Sequence, residues 1–139
     1  MDATIANALA PGPDSTIGDH TVDITTIGAR SGKPRRIEIW FHTVDGTVYL
    51  TGLPGPRAWY ANLLAHPHFT FHLKHDVQAD LAATATPVTD PAERARLFAA
   101  IIAGIDDLYL RRGSAQRVAH PDDWVARSPL MRVSFDSRP

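Results

Sequence analysis

The sequence predicts a mainly β domain with flanking helices (α+β), built as a small barrel or an α+β sheet, and three observations carry that prediction. Residues Arg36–Val44 alternate between two kinds of side chain and end at Asp45-Gly46, a hairpin turn pair. A second hairpin pattern, Phe69–Lys74 and Val77–Val88, turns at His75-Asp76. Asp90-Pro91-Ala92-Glu93 has the form of a helix start, with Leu97, Ile101 and Ile105 following at helical spacing. About six strands and two or three helices in 139 residues suit one domain around one core.

Residues 1–16, rich in Ala, Pro and Asp, are expected to form an N-terminal arm or short helix. They lack the basic n-region of a signal peptide. Residues 17–139 are expected to form the single domain. His20–Ile27 reads as a strand from its Thr/Ile period-two pattern. In Arg36–Val44, Ile37, Ile39 and Phe41 share one face, and Glu38, Trp40 and His42 share the other. Thr47–Gly52 completes a three-stranded meander, ended by Leu53-Pro54-Gly55-Pro56. A short amphipathic helix over Arg57–Ala65 carries Trp59, Asn62 and Leu63 and stops before Pro67. In the long helix that Asp90 caps, Gly104 predicts an interruption, with the helix resuming to Arg112 and ending at Gly113. Pro121-Asp122-Asp123 reads as a loop leading to Trp124, and Leu130–Phe135 as the last strand.

Composition excludes several classes of function. A net charge of −1 and a single short basic run without aromatic-studded strands argue against nucleic acid. No apolar run approaches the ~20 residues of a membrane-spanning helix, so no transmembrane segment is expected. The absence of cysteine excludes a disulfide framework and thiolate chemistry, and it suits a reducing, cytoplasmic location.

Positive charge is concentrated in Gly28-Ala29-Arg30-Ser31-Gly32-Lys33-Pro34-Arg35-Arg36, which holds four of the chain's 14 lysines and arginines. Turn amides beside guanidinium and ammonium groups make a concavity suited to phosphate or carboxylate. This is not a P-loop: it is one residue short, and Pro34 stands where the metal-binding hydroxyl belongs. A G-x-G-x-x-G fingerprint is also absent. His66, His68, His72 and His75 cluster in sequence, but His68 and His72 on one strand would lie ~13 Å apart at ~3.3 Å per residue. Zinc bonds of ~2 Å do not gather such a pair. Glu38 with His42 and a third ligand is the remaining cross-strand combination; ordinary surface or half-buried histidine is the preferred reading, and no metal is expected. Ser31 lacks the elbow of a serine nucleophile.

The segment Thr25-Thr26-Ile27-Gly28-Ala29-Arg30-Ser31-Gly32-Lys33-Pro34-Arg35, followed by Trp59-Tyr60-x-Asn62-Leu63-x-x-x-Pro67, resembles the deazaflavin-dependent nitroreductase family. Through that family the chain also resembles the wider group of split β-barrel flavin-binding oxidoreductases. The likeness spans Val22–Val88. It implies a six-stranded split β-barrel of the flavin-reductase/pyridoxamine-oxidase kind, holding the reduced deazaflavin coenzyme F-420. The turn matching Arg30–Arg35 would hold the phosphate and oligoglutamate tail: Arg30, Lys33 and Arg35 anchor it, and Ser31 and the Gly32 amide complete the anion cup. The strand matching Ile37–Trp40 would run beside the ring, with Glu38 at the cleft edge as a polar handle or proton acceptor. Gly52, Leu53 and the helix bearing Trp59 and Asn62 would shape the rest, with Trp40 and Trp59 as ring walls and Asn62 as a polar contact.

The expected function is therefore an oxidoreductase, a nitro- or quinone reductase, that passes a hydride from reduced deazaflavin to a small-molecule electron acceptor: a quinone, an enone or a nitro compound. The coenzyme carries the difficult chemistry, and no catalytic acid or base is assigned. The segment beyond Ile105, including Tyr109, Trp124 and Met131, is expected to cover the acceptor side. An FMN- or FAD-binding split barrel is the alternative, followed by a non-catalytic carrier of a cofactor, haem or lipid. Barrel edges are compatible with a homodimer.

Overall fold

In the computed structural model, which describes residues 1–136, six antiparallel strands close into a barrel of order β1-β2-β3-β6-β5-β4. The last three residues of the expected 17–139 domain lie outside the described residues. The strands are β1 (Thr21–Ile27), β2 (Pro34–Val44), β3 (Thr47–Thr51), β4 (His68–Lys74), β5 (Gln78–Pro87) and β6 (Leu130–Phe135). The helices are α1 (Ala3–Ala8), α2 (Ala58–Ala65), α3 (Pro91–Arg111) and α4 (Pro121–Arg127). His20 precedes β1 in a short 3-10 turn, Gly18–His20, rather than opening the strand.

Alternation along the strands divides the side chains between two cores. Val22, Ile24, Phe41, Leu50, Phe71 and Met131 point inward and fill the barrel. Phe41 and Phe71 meet edge-on, with ring centroids 5.5 Å apart. The barrel ends are closed by different helices. Near the β1–β2 tip, α2 inserts Trp59 and Leu63 into the core. At the opposite end, where β2 turns into β3, the Thr43 hydroxyl donates to the carbonyl of Leu9, just after α1.

The second core lies outside the barrel. Tyr49, Trp40 and Val44 on the outer face of β2 and β3 pack under Leu97, Phe98, Ile101 and Ile105 of α3 and Trp124 of α4. Asp90 caps α3 through Glu93, as the sequence predicts. The predicted break at Gly104 does not occur: α3 runs unbroken to Arg111. Gly104 is exposed and costs a helix about 1 kcal/mol. The buried side chains on either side, Ile101, Ile105 and Leu108, contribute about 1.5–3 kcal/mol each and decide the outcome.

Pro121-Asp122-Asp123, predicted as a loop, instead opens a helix, Pro121–Arg127. Pro121 at its first position and Asp122 and Asp123 in its first turn are helix-start signals. Its far end depends on a distant residue. Arg94 of α3 donates to the carbonyls of Val125, Trp124 and Ser128, as well as to that of Val88. One guanidinium thus satisfies two of the orphan carbonyls of α4, those of Trp124 and Val125, and joins the helix to the barrel.

Candidate functional site

The basic β1–β2 connection folds as a tight, self-bonded turn. The Gly28 amide donates to the Lys33 carbonyl at 2.9 Å, and the Gly32 amide to the Gly28 carbonyl at 2.9 Å. Gly32 sits at φ 68, where a glycine is unstrained. The Lys33 amide donates to Ser31 Oγ at 3.2 Å. A Cβ on Gly28 would come within 2.3 Å of that Ser31 oxygen, so the turn closes only around a residue without a side chain. These bonds correct two expectations: the Gly32 amide is spent inside the turn, and Ser31 Oγ props it. Among the described residues, the amides of Arg30 and Ser31 make no hydrogen bond within the protein.

Asn62 serves the turn from beneath. Its Oδ1 accepts from the Ala29 amide at 2.9 Å, and its Nδ2 donates to Thr26 Oγ1 at 3.1 Å. The side chain is buried, so it positions the loop instead of offering the polar contact expected of it. Trp59 likewise is no ring wall. It lies in the barrel core, edge-on to Tyr60.

Around the turn, Arg30, Lys33 and Arg35 are exposed and, among the described residues, have no carboxylate partner. Arg36 differs. Its Nε lies 2.9 Å from Asp23, which also receives Lys74 Nζ at 2.7 Å. Lys74 bonds Glu38 as well. Hydrogen bonds from Lys74 and then Arg36 hold the Asp23 carboxyl below its ordinary range, and Asp23 and Glu38 in turn raise Lys74. Glu38 is therefore a neutralised member of an ion-pair cluster on the outer wall, not a free handle. Ile37 is on the inward face opposite Ile24, partly exposed at the barrel end.

Further along the same outer face of β2 is a cleft of about 530 Å³. Its barrel side is Trp40, His42, Thr51, Gly52 and Leu53; Ile105 and Tyr109 of α3, Trp124 of α4 and the loop around Val118 complete it. Trp40 and Tyr109 face each other with centroids 6.1 Å apart. The volume falls in the range of small-ligand pockets, and mostly apolar walls with few polar groups are typical of them. Trp40, Gly52, Leu53, Tyr109 and Trp124 are thus brought together. Met131 is not: it points into the barrel core.

His42 was missed as a site residue. It is 7% exposed, lines the cleft and, among the described residues, has no hydrogen-bond partner on its ring. Burial, followed by the nearby His20, pushes its pKa down to about 3. Its signal in the sequence is its place two residues from Trp40, on the same face. Arg57, next to Gly52, and Arg117, at the cleft lip, were also overlooked as cations. No group of three or more potential metal ligands converges among the described residues. His72 instead joins Thr25 to Asp80, and His68 bonds Thr84.

From Arg35, the unpaired cation on β2, to Trp40 is five strand steps, ~17 Å. A free cationic rim with two unpartnered amides therefore shares a strand with an aromatic cleft. That arrangement fits an elongated ligand with an acidic tail and a flat ring.

Solved structures share the fold. A conserved hypothetical protein from Mycobacterium tuberculosis is 18% identical with a TM-score of 0.63, over 99% of this chain and 81% of its own. A FAD-binding protein from Mesorhizobium loti is 11% identical with a TM-score of 0.61, over 99% and 91%. A structure described as an F420-H2 dependent reductase (FDR-A) is 21% identical with a TM-score of 0.53, over 83% and 94%. At these identities the likeness establishes the pyridoxamine-oxidase-like split barrel alone. No curated protein matches the chain. The sequence profile described as F420H(2)-dependent quinone reductase, by contrast, matches residues 13–116. With three quarters of its length inside that match, the chain belongs to the F420H(2)-dependent quinone reductase family and is a deazaflavin-dependent oxidoreductase that uses coenzyme F420.

Proposed function

We propose that this protein reduces a quinone, or a related enone or nitro compound, seated in the Trp40–Tyr109 cleft. Bound reduced deazaflavin supplies the hydride. Arg30, Lys33 and Arg35, with the Arg30 and Ser31 amides, hold its acidic tail. Trp40, Gly52 and Leu53 line the space for its ring, while α3 and α4 keep water away from the reacting faces. Asn62 and Ser31 act on the turn's shape and Glu38 on the wall's charge balance. The observation that carries this reading is the sharing of β2: the free cations stand at one end and the aromatic cleft further along.

Each charge-assisted bond contributes about 1.5–3 kcal/mol, so Arg35→Ala should weaken coenzyme binding by roughly ten- to a hundredfold. Titration followed by deazaflavin fluorescence, repeated at high salt, measures it. An affinity that neither the substitution nor salt alters would remove the tail site.

A further inference from the structure

His42 is a buried polar side chain that lines the cleft with, among the described residues, no hydrogen-bond partner on its ring, and the proposed reaction leaves it unused. Its ring nitrogens have no protein partner among the described residues, yet they do not belong with the fully enclosed orphan atoms, where Ser128 Oγ alone stands. A buried polar group left without a partner costs about 1–3 kcal/mol. Such a cost is tolerated where a ligand supplies the missing bond. Thr51, on the same barrel wall of the cleft, spends its hydroxyl on the Pro129 carbonyl at 2.6 Å.

We infer that the His42 imidazole N–H is the hydrogen-bond donor that seats the acceptor's oxygen and stabilises the negative charge developing there. The inference rests on the reductase reading above. Along β2 from the cationic turn, Trp40 comes before His42, which lies ~7 Å beyond it. A ring tethered by its tail to the turn meets Trp40 first, leaving His42 for the second reactant. Quinone reduction takes up two electrons and one proton as hydride, oxidising the deazaflavin; a second proton, from solvent, then gives the hydroquinone. Charge accumulates on the quinone oxygen between these two events. A neutral imidazole N–H fixed in a dry cleft meets that charge without reorganising. His42 here donates a hydrogen bond and does not surrender its proton.

The test compares wild type, His42→Phe and His42→Gln, with deazaflavin binding followed by fluorescence. Turnover is measured with menadione and with phenazine methosulfate, whose ring carries no oxygen. His42→Phe, which removes one hydrogen bond to a charged oxygen, should lower kcat with menadione by about 10- to 100-fold. Coenzyme affinity should stay within about twofold, and phenazine reduction should be nearly unchanged. His42→Gln, which keeps an N–H donor, should recover much of the loss. Equal losses on both acceptors, a coenzyme affinity that falls in step with turnover, or no loss at all overturns the assignment. A wild type that binds no deazaflavin overturns the reductase reading beneath it, a result separate from any effect of the variants. If His42→Phe does not fold, the ring ¹⁵N signals of wild-type His42 decide instead. They should shift on adding menadione to the oxidised-coenzyme complex, and unmoved signals overturn the inference.

Discussion

Asn62 shows how one side chain can control a site without touching a ligand. Its amide spans from the Thr26 hydroxyl in the barrel to the Ala29 amide in the cationic turn. Asn62→Ala leaves the buried Thr26 hydroxyl and the part-buried Ala29 amide without this partner, and the expected loss of stability is about 1–3 kcal/mol. The cations themselves remain, so coenzyme affinity should fall because the turn loosens and not because charge is lost. Thermal unfolding with parallel coenzyme titration checks this. A destabilised variant with wild-type affinity would show that the turn holds its shape alone. Asn62 and Trp59 were identified from the sequence as residues of the second motif that carries the family resemblance, but their roles depend on the direction α2 faces. Spacing along a chain gives no such direction.

At the scale of the element, α3 demonstrates the weakness of a local rule against burial. Gly104 signals a break, but the helix passes through because its apolar stripe is held against β2 and β3. A Cβ at Gly104 meets nothing within 4 Å. Gly104→Ala should therefore raise stability by about 0.5–1 kcal/mol through the lower entropy of the unfolded chain. A urea midpoint moving upward with unchanged slope is the expected result; a lower midpoint would mean that the glycine serves a contact the structure does not show. In α4 the helix-start signals were present in Pro121, Asp122 and Asp123, but a seven-residue helix is not stable alone. It persists because Arg94, far back in the chain, caps its carbonyls. The outer-wall ion pairs have the same character, since Lys74 reaches Asp23 and Glu38 only when β4, β1 and β2 lie side by side.

For the whole molecule, placing a histidine between barrel and helices makes the fold sensitive to acid. Unfolded His42 takes a proton near its ordinary pKa of 6.5, whereas burial holds the folded value at about 3. Between those limits the unfolded chain binds the additional proton, so stability falls as pH falls, by up to ~1.4 kcal/mol per unit. His20, whose pKa burial also lowers, adds to the slope. Asp23, Asp80 and Asp123 have lowered pKa values, and their stabilisation is lost only at more acidic pH. Urea unfolding between pH 7 and about 4.5 thus isolates the histidines. His42→Gln should flatten the slope, and identical slopes in the two proteins would contradict the assignment.

What the sequence by itself determined is what arises within a few residues: the alternation of β2, its Asp45-Gly46 turn, the cap of α3 and the crowding of Arg30, Lys33 and Arg35 into one connection. Periodicity, turn chemistry and charge density are short-range properties, and they were legible. The cleft was not, because it exists only where α3 crosses the outer face of a closed barrel. Tertiary structure alone decided that Trp40 lines a space while Trp59 fills a core, that Glu38 is neutralised and that His42 is left, among the described residues, without a hydrogen-bond partner on its ring. Burial and pairing are sums over elements distant in sequence, and the same side chain takes either role according to what the fold packs against it.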